Sequence, residues 1–211
     1  MGLETLDAPL TIAVAKGYLW EEAKKRLTSL GVEFETDFST SRKLYSYDKG
    51  KKIKVLMVRS WDVPTYVEEG AADLGIVGKD VLLEQEPRVC DLLDLGFGGC
   101  SLVLAGLEKI TVKDLGHNIK VATKYTNSTD LYFKRCGLKI EPIKLYGAIE
   151  LAPHTGIADI ICDLTATGST LKENGLHIID TVYTSTAHLI ANPVSMKRVY
   201  SSIVSLTKML A

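Results

Sequence analysis

The stretch Leu10-Thr-Ile-Ala-Val-Ala15-Lys16-Gly17-Tyr18-Leu19-Trp-Glu-Glu-Ala23-Lys-Lys-Arg-Leu27-Thr-Ser-Leu30-Gly31 changes its apolar period part-way. Leu10 to Ala15 reads as a buried strand. After the Lys16-Gly17 turn, Leu19, Ala23, Leu27 and Leu30 recur at helical spacing, and Gly31 ends the helix as its C′ residue. A strand feeding an amphipathic helix is half of a βαβ unit, and the same alternation continues outward from it.

Ile53 to Val58 predicts a second buried strand. Asp62 is expected to cap a helix with Pro64 in its first turn and Gly70 at its end. Leu74 to Val77 predicts a third strand, and Lys79-Asp80 leads into a short helix. Around Gly96 to Gly99 the composition shifts. Cys100 to Ala105, Ile119 to Ala122 and Ile157 to Cys162 read as strands. Asn127 or Ser128 caps a helix running to Gly137, Ala148 to His154 reads as helical, and Leu171 to Asn174 opens another helix. His177 to Asn192 carries two extended runs, and Val199, Ile203, Leu206 and Leu210 mark a final amphipathic helix. The expected class is α/β with a largely parallel sheet. If there are two domains, the joints fall near residues 91 and 183, giving 1–91 plus 183–211 and 92–182.

Composition narrows the function. The 211 residues are 46% hydrophobic and 24% charged with a net charge of −1, ordinary for a soluble globular protein. Acids are scattered among the basic residues, so no stripe recommends a nucleic acid. No run of eighteen apolar residues suggests a membrane span, and Met1 to Leu10 does not read as a signal peptide. Cys90, Cys100, Cys136 and Cys162 are widely spaced without a CxxC, and His117, His154, His177 and His188 do not cluster at metal-ligand spacing. The expected setting is cytoplasmic, with reduced cysteines. Any anion must be held by local geometry.

One segment carries that geometry: Asp159-Ile-Ile-Cys-Asp163-Leu-Thr165-Ala166-Thr167-Gly168-Ser169-Thr170-Leu171. An apolar strand ends in a carboxylate, and small hydroxyl and glycine residues then turn the chain into a helix. A helix N-terminus leaves backbone N–H groups unpaired, Gly168 admits a close backbone approach, and Thr165, Thr167, Ser169 and Thr170 add hydroxyl donors. Asp163 is placed for ribose hydroxyls rather than phosphate, which would repel it. A strand–turn–helix with merely capping threonines is the alternative. Neither GxxxxGK[ST] nor GxGxxG is present. A site for ribose and its 5′-phosphate remains.

Glu150, Gly156, Ala158, Ile161, Asp163, Leu164, Thr167, Gly168, Thr170 and Leu171 resemble, at every spacing, the motif of the ATP phosphoribosyltransferases. Ser41 to Leu44, Val58 to Val67 and Ala72 to Asp80 look like the same family, and the likeness runs from about Thr11 to Ser195. It implies two α/β domains of the periplasmic-binding-protein type II, with a ligand cleft between them and domain closure during turnover. It implies transfer of 5-phosphoribosyl from phosphoribosyl pyrophosphate to N1 of ATP, releasing pyrophosphate, at the first step of histidine biosynthesis. Mg²⁺ arrives with the substrates, and the chain holds no metal of its own.

By this resemblance Asp163, Thr165, Ala166, Thr167, Gly168, Ser169 and Thr170 hold the phosphoribosyl group. Arg42 and Arg59 receive the pyrophosphate. Glu150 meets ribose hydroxyls or a water on Mg²⁺. Lys16, Gly17 and Tyr18 lie beside the nucleotide, with Tyr18 replacing the arginine usual in the family. For Arg59 and Arg42 a surface ion pair is the competing reading, and for Glu150 a helix-face charge. Lys79 and Asp80 either line the cleft or begin a helix. Because the chain stops at Ala211, it looks like the short form, which lacks a histidine-binding domain and assembles with a histidyl-tRNA-synthetase-like regulatory subunit. A homodimer of catalytic chains is also expected. The rivals are a phosphoribosyltransferase acting on a free base, separated by its acceptor, and a cytosolic ligand-binding protein of the same fold.

Overall fold

The computed structural model describes residues 6–38 and 40–211, so half of the stretch read for a signal peptide lies outside it. In chain order the elements are β1 (Leu10–Ala15), α1 (Tyr18–Ser29), β2 (Tyr45–Tyr47), β3 (Ile53–Val58), α2 (Val63–Glu68), β4 (Leu74–Gly78), α3 (Lys79–Gln85) and β5 (Cys90–Asp94). There follow β6 (Cys100–Gly106), β7 (Ile119–Thr123), α4 (Thr126–Arg135), β8 (Ile140–Lys144), α5 (Ala152–Thr155), β9 (Ile160–Thr165), α6 (Ser169–Glu173) and β10 (His177–Ser185). The chain finishes with β11 (Ala187–Ala191), α7 (Ser195–Arg198) and α8 (Tyr200–Leu210).

These elements form two compact units. One takes in the chain up to Leu82, Glu86–Gly98 and Thr186–Ala211; the other comprises Leu83–Gln85 and Gly99–Ser185. The long crossings thus fall at 98/99 and 185/186, beyond the joints near 91 and 183, because β5 pairs with β11 in the first sheet and β10 pairs with β6 in the second.

The first sheet has the order β2-β3-β1-β4-β11-β5. β1 runs parallel to β3 and β4, whereas β2, β11 and β5 are antiparallel to their neighbours. Ile12, Val14, Leu74, Ile76 and Leu189 on one face pack with Trp20, Ala23 and Leu27 of α1 and Ile203 and Leu206 of α8. Ala13, Ala15, Val77 and Ile190 on the other pack with Val63, Val67 and Val81. Each large side chain buried in this way contributes about 1.5–3 kcal/mol. At the N-terminal ends of the parallel strands, the Asp73 carboxylate accepts from Thr11 N–H at 2.9 Å, Ser195 Oγ at 2.6 Å and Arg198 at 2.6 Å. That fixes α7 to β1 and β4.

The second sheet has the order β10-β6-β9-β7-β8, with only β9-β7 and β7-β8 parallel. β10 is an edge strand with register breaks between Ile178 and Asp180 and between Thr181 and Tyr183. Val103, Ala105, Ala122 and Ile161 bury against Ile149, Ala152 and Leu171. Both sheets are therefore mixed rather than largely parallel. The apolar runs reveal burial, but strand direction depends on where the chain returns, and β10 and β11 return against β6 and β4.

Two expected caps are otherwise made. Asp62 ends a 3₁₀ turn over Ser60–Asp62 with helical backbone angles, and its side chain caps nothing. Helix α4 starts at Thr126, and neither Asn127 nor Ser128 caps it. Instead the Glu84 carboxylate accepts the N–H groups of Asn127 and Ser128, each at 2.9 Å. A carboxylate suits this end of a helix dipole, and it comes from residues distant in sequence.

Candidate functional site

The C-terminal ends of β7, β8 and β9 bring together the chemistry of the second unit, the side where ligands meet open α/β sheets. Asp163, near the end of β9, is half-buried. Burial lifts its carboxyl to about 6, and Glu150 adds to the rise; the Leu164 N–H at 2.8 Å and the ammonium of Lys124 oppose it. Glu150 thus faces Asp163 across the strand ends, set there by Ala148, whose φ of 49° is unusual for a residue with a side chain. The hydroxyl-rich turn follows directly. Gly168 has φ 76°, which glycine adopts without the strain of a Cβ. Ala166, Thr167, Ser169 and Thr170 are exposed.

The N–H groups of this turn are not all unpaired, contrary to expectation. Thr165 Oγ1 accepts from Gly168 N–H at 2.8 Å, and Thr167 Oγ1 from Ser169 N–H at 3.4 Å. Two hydroxyls thus hold the turn in shape, an ST-turn effect, and the hydroxyls of Thr167 and Ser169 also bond each other at 3.0 Å. A cavity of about 440 Å³ in this unit lies elsewhere, lined by Leu107, Ile110, Leu115, Pro153 and Ile160 among others, with no cation.

In the first unit, parallel pairing sets Ala15 beside Val58, so Lys16 and Arg59 emerge side by side. The N–H of Lys16 donates to Val58 O at 3.1 Å and ties the two exits together. A cavity of about 420 Å³ is lined by Lys16, Arg59, Asp62, Tyr45, Tyr66, Leu44, Leu56, Met57 and Val58. A smaller one of about 150 Å³ shares Lys16 and Met57 with it and adds Gly17, Trp20, Glu21, Phe38, Ser41 and Lys43. Among the described residues no ion pair engages Lys16, Arg42, Lys43 or Arg59. Unpaired cations grouped at strand ends suit an anionic ligand. Arg42 is exposed and lines neither cavity, although Ser41, Lys43 and Leu44 beside it do. Tyr18 is 63% exposed and also lines neither.

Lys79 begins α3, and its ammonium is engaged with Asp91 at 2.6 Å. Asp91 also receives His188 Nδ1 at 2.8 Å; burial disfavours its charge, but these two partners outweigh that and hold its carboxyl below the usual range. Asp80 is buried, and its carboxylate lies over Gly78 so closely that a Cβ there would meet it at 2.1 Å. Among the described residues, no three of His, Cys, Asp and Glu gather as metal ligands.

The family model described as HisG, ATP phosphoribosyltransferase, matches residues 59–211. An ATP phosphoribosyltransferase of Citrifermentans bemidjiense is 45% identical over 197 residues, 92% of this chain and 93% of its own. The chain belongs to the ATP phosphoribosyltransferase family. The structure of the ATP phosphoribosyl transferase (HisG:HisZ) complex from Thermotoga maritima contains a similar chain, 36% identical, with a TM-score of 0.80 and coverage of 95% and 96%. The periplasmic aliphatic sulphonate-binding protein SsuA from Escherichia coli, 18% identical, gives a TM-score of 0.62 over 96% of this chain and 71% of that one. That likeness shows the fold alone: two α/β domains of the periplasmic-binding-protein kind.

For an ATP phosphoribosyltransferase, the matched span takes in Arg59, Glu150 and the turn from Asp163 to Thr170, and begins after Lys16 and Arg42. Several cavity residues escape a reading of the sequence. Leu44 precedes and Tyr45 starts a three-residue strand too short to show a period, and Met57 looks like core; in the second unit Lys124, which acts on Asp163, is one lysine among many. Asp62 draws notice as a cap and within the family-like block from Val58 to Val67, with no role at a cavity assigned to it. Its place on the cavity wall follows from the 3₁₀ turn after Arg59.

Proposed function

We propose that this chain transfers the 5-phosphoribosyl group of phosphoribosyl pyrophosphate to N1 of ATP and releases pyrophosphate, the first step of histidine biosynthesis. The family match carries the reading, and the chemistry at both sets of strand ends supports it. N1 of adenine has a free lone pair at neutral pH. That pair forms the new bond to ribose C1 while the C1–O bond breaks and its electrons leave with pyrophosphate, so no general base is required. The ring becomes oxocarbenium-like and the leaving group gathers negative charge, which makes positioning and electrostatic stabilisation the main tasks.

In this reading the hydroxyls from Thr165 to Thr170 hold the 5′-phosphate, while Asp163 and Glu150 accept from the ribose hydroxyls. Arg59, with Arg42, draws off the pyrophosphate, and Lys16 with the Gly17 turn attends the nucleotide. Magnesium travels on the phosphates of the substrates. A histidyl-tRNA-synthetase-like regulatory subunit, pairing of catalytic chains and a cytoplasmic setting belong to the same proposal. The Thermotoga maritima HisG:HisZ complex supports the first of these. Among the described residues no helix is long and apolar enough to cross a membrane.

The test is the absorbance of phosphoribosyl-ATP formed by wild type, Arg59→Ala and Thr167→Val. Loss in both variants is expected. Full activity in both would sink the site assignment, and a wild type inactive on these substrates would sink the function.

A further inference from the structure

The exits of β7 and β9 lie side by side. Parallel pairing sets Thr123 against Cys162, so the residues that follow, Lys124 and Asp163, are neighbours at the strand ends. Successive side chains on a strand alternate between faces. Cys162 turns toward Thr129 of α4, and Asp163 toward the face where Val103, Ala122 and Ile161 pack with Ile149 and Ala152. Glu150 belongs to the 3₁₀ turn over Ile149–Leu151, which covers that same face.

The backbone fixes Lys124 from both sides. Leu145 N–H donates to Thr123 O at 3.0 Å, Tyr125 N–H to Thr123 Oγ1 at 2.8 Å, and Thr129 Oγ1 to Tyr125 O at 2.6 Å. Lys124 itself is half-buried, as are Asp163 and Glu150. Two carboxyls and one ammonium therefore share this corner. Burial and Glu150 favour the protonated form of Asp163, whereas the Leu164 N–H and Lys124 favour the ionised one. The other neighbours add no charge. Val103, opposite on β6, is apolar, and Cys162 has its thiol pushed up to about 12 by burial and stays neutral. A ligand carrying a 5′-phosphate and a pyrophosphate brings negative charge, which pushes Asp163 toward its proton as Glu150 does. A protonated carboxyl gives up part of its accepting capacity for hydroxyl groups.

We propose that Lys124 is a positioning residue for phosphoribosyl transfer, its ammonium keeping the Asp163 carboxylate charged so that it accepts from the ribose hydroxyls. This rests on the proposed reaction, in which Asp163 meets the ribose. Lys124 acts through Asp163 rather than on the reacting atoms. The sign follows from the charges. Removing the ammonium leaves burial and Glu150 less opposed, so the carboxyl holds its proton to a higher pH and substrate capture fails earlier on acidification. A guanidinium at the same position preserves the effect, and a neutral side chain of similar length does not.

The experiment has two readouts on the full chain. Carbon-13 NMR follows the titration of the Asp163 carboxyl in the substrate-free protein, its signal assigned by loss in Asp163→Asn. Lys124→Met is expected to raise the midpoint by about half a pH unit, and Lys124→Gln, a second neutral variant, by a similar amount; Lys124→Arg leaves it in place. Initial rates with phosphoribosyl pyrophosphate and ATP give the second readout. Relative to wild type, kcat/KM of the two neutral variants falls about threefold further at about pH 5.5 than at about pH 8, the same half unit read as a rate. Titration of the substrate is common to all variants and cancels in that ratio. A midpoint unmoved in both neutral variants overturns the proposal. So does a loss of kcat/KM that is equal at the two pH values, which marks a lysine that binds substrate directly or only supports the fold. Either result in a chain whose wild type turns over ATP fails this role alone. A wild type inactive on both substrates fails the proposed reaction and this role with it.

Discussion

The hydroxyl of Thr165 accepts the backbone N–H of Gly168 at 2.8 Å, and this bond closes the turn that follows β9. It fixes the shape in which Thr167, Ser169 and Thr170 present their hydroxyls. Thr165→Ser is therefore expected to behave as wild type. Thr165→Val, which removes a bond worth about 0.5–1.5 kcal/mol, should raise KM for phosphoribosyl pyrophosphate about three- to tenfold. Initial-rate kinetics check it, and equal KM values in both variants would show that the turn holds without the bond.

Asp163 makes the folded state less stable than a neutral residue would. Its carboxyl, lifted by burial to about 6 from the usual 3.8, keeps its proton in the folded chain at pH values where the unfolded chain has lost it. Its contribution is nil below about pH 4, turns unfavourable between about 4 and 6, and stays so above. Asp163→Asn should stabilise the substrate-free protein by about 1–3 kcal/mol at pH 7.5 and by almost nothing at pH 4. Denaturant unfolding at the two pH values decides it.

The same carboxyl sets a pH limit on substrate capture. If the ionised form accepts from ribose hydroxyls, kcat/KM for phosphoribosyl pyrophosphate should fall about tenfold per pH unit well below pH 6. In Asp163→Asn that limb should vanish from an already low profile. A wild-type profile flat down to pH 5 would contradict this role.

Arg59 has no ion pair among the described residues, so truncating it orphans no protein partner. Arg59→Ala should lower kcat by about 10²–10³ with little change in unfolding temperature. Arg59→Lys should recover only part of the loss, since an ammonium cannot make the bidentate contact. A melting point that fell along with kcat would point to a structural role.

Glu84 caps α4 through two backbone N–H groups. Glu84→Gln keeps one acceptor and loses the charge at the helix end, costing about 0.5–1 kcal/mol; Glu84→Ala should cost about 1–2 kcal/mol. For a chain of this length that is a shift of about 2–4 °C per kcal/mol. Calorimetric melting that leaves Glu84→Gln at the wild-type temperature would refute the charge contribution.

Much of this was legible in the sequence because burial and period are local. The run from Leu10 to Ala15, the helix over Leu19 to Leu30 and the turn after Asp163 each announce themselves within a few residues. Pairing is not local. Nothing near Ala187 says that β11 runs antiparallel to β4, nor does Asn127 reveal that a carboxylate 43 residues away receives its N–H. Gly168 could be read as a point of close approach, but the hydrogen bond that uses its N–H could not. The first-unit cavity was half visible: Lys16 and Arg59 stood out by position, whereas Tyr45 and Tyr66 acquire meaning only when β2 and α2 flank the exits of β1 and β3.

The edges of the two sheets have a consequence for handling the protein. β8 presents Glu141, Pro142 and Lys144, β5 presents Asp91 and Asp94, and the nine residues of β10 are broken twice in register. Proline, charge and bulges each spoil an edge as a template for another strand. Concentrated solutions should therefore resist strand-by-strand growth into fibres, and edge changes such as Pro142→Val are where that resistance should fail first.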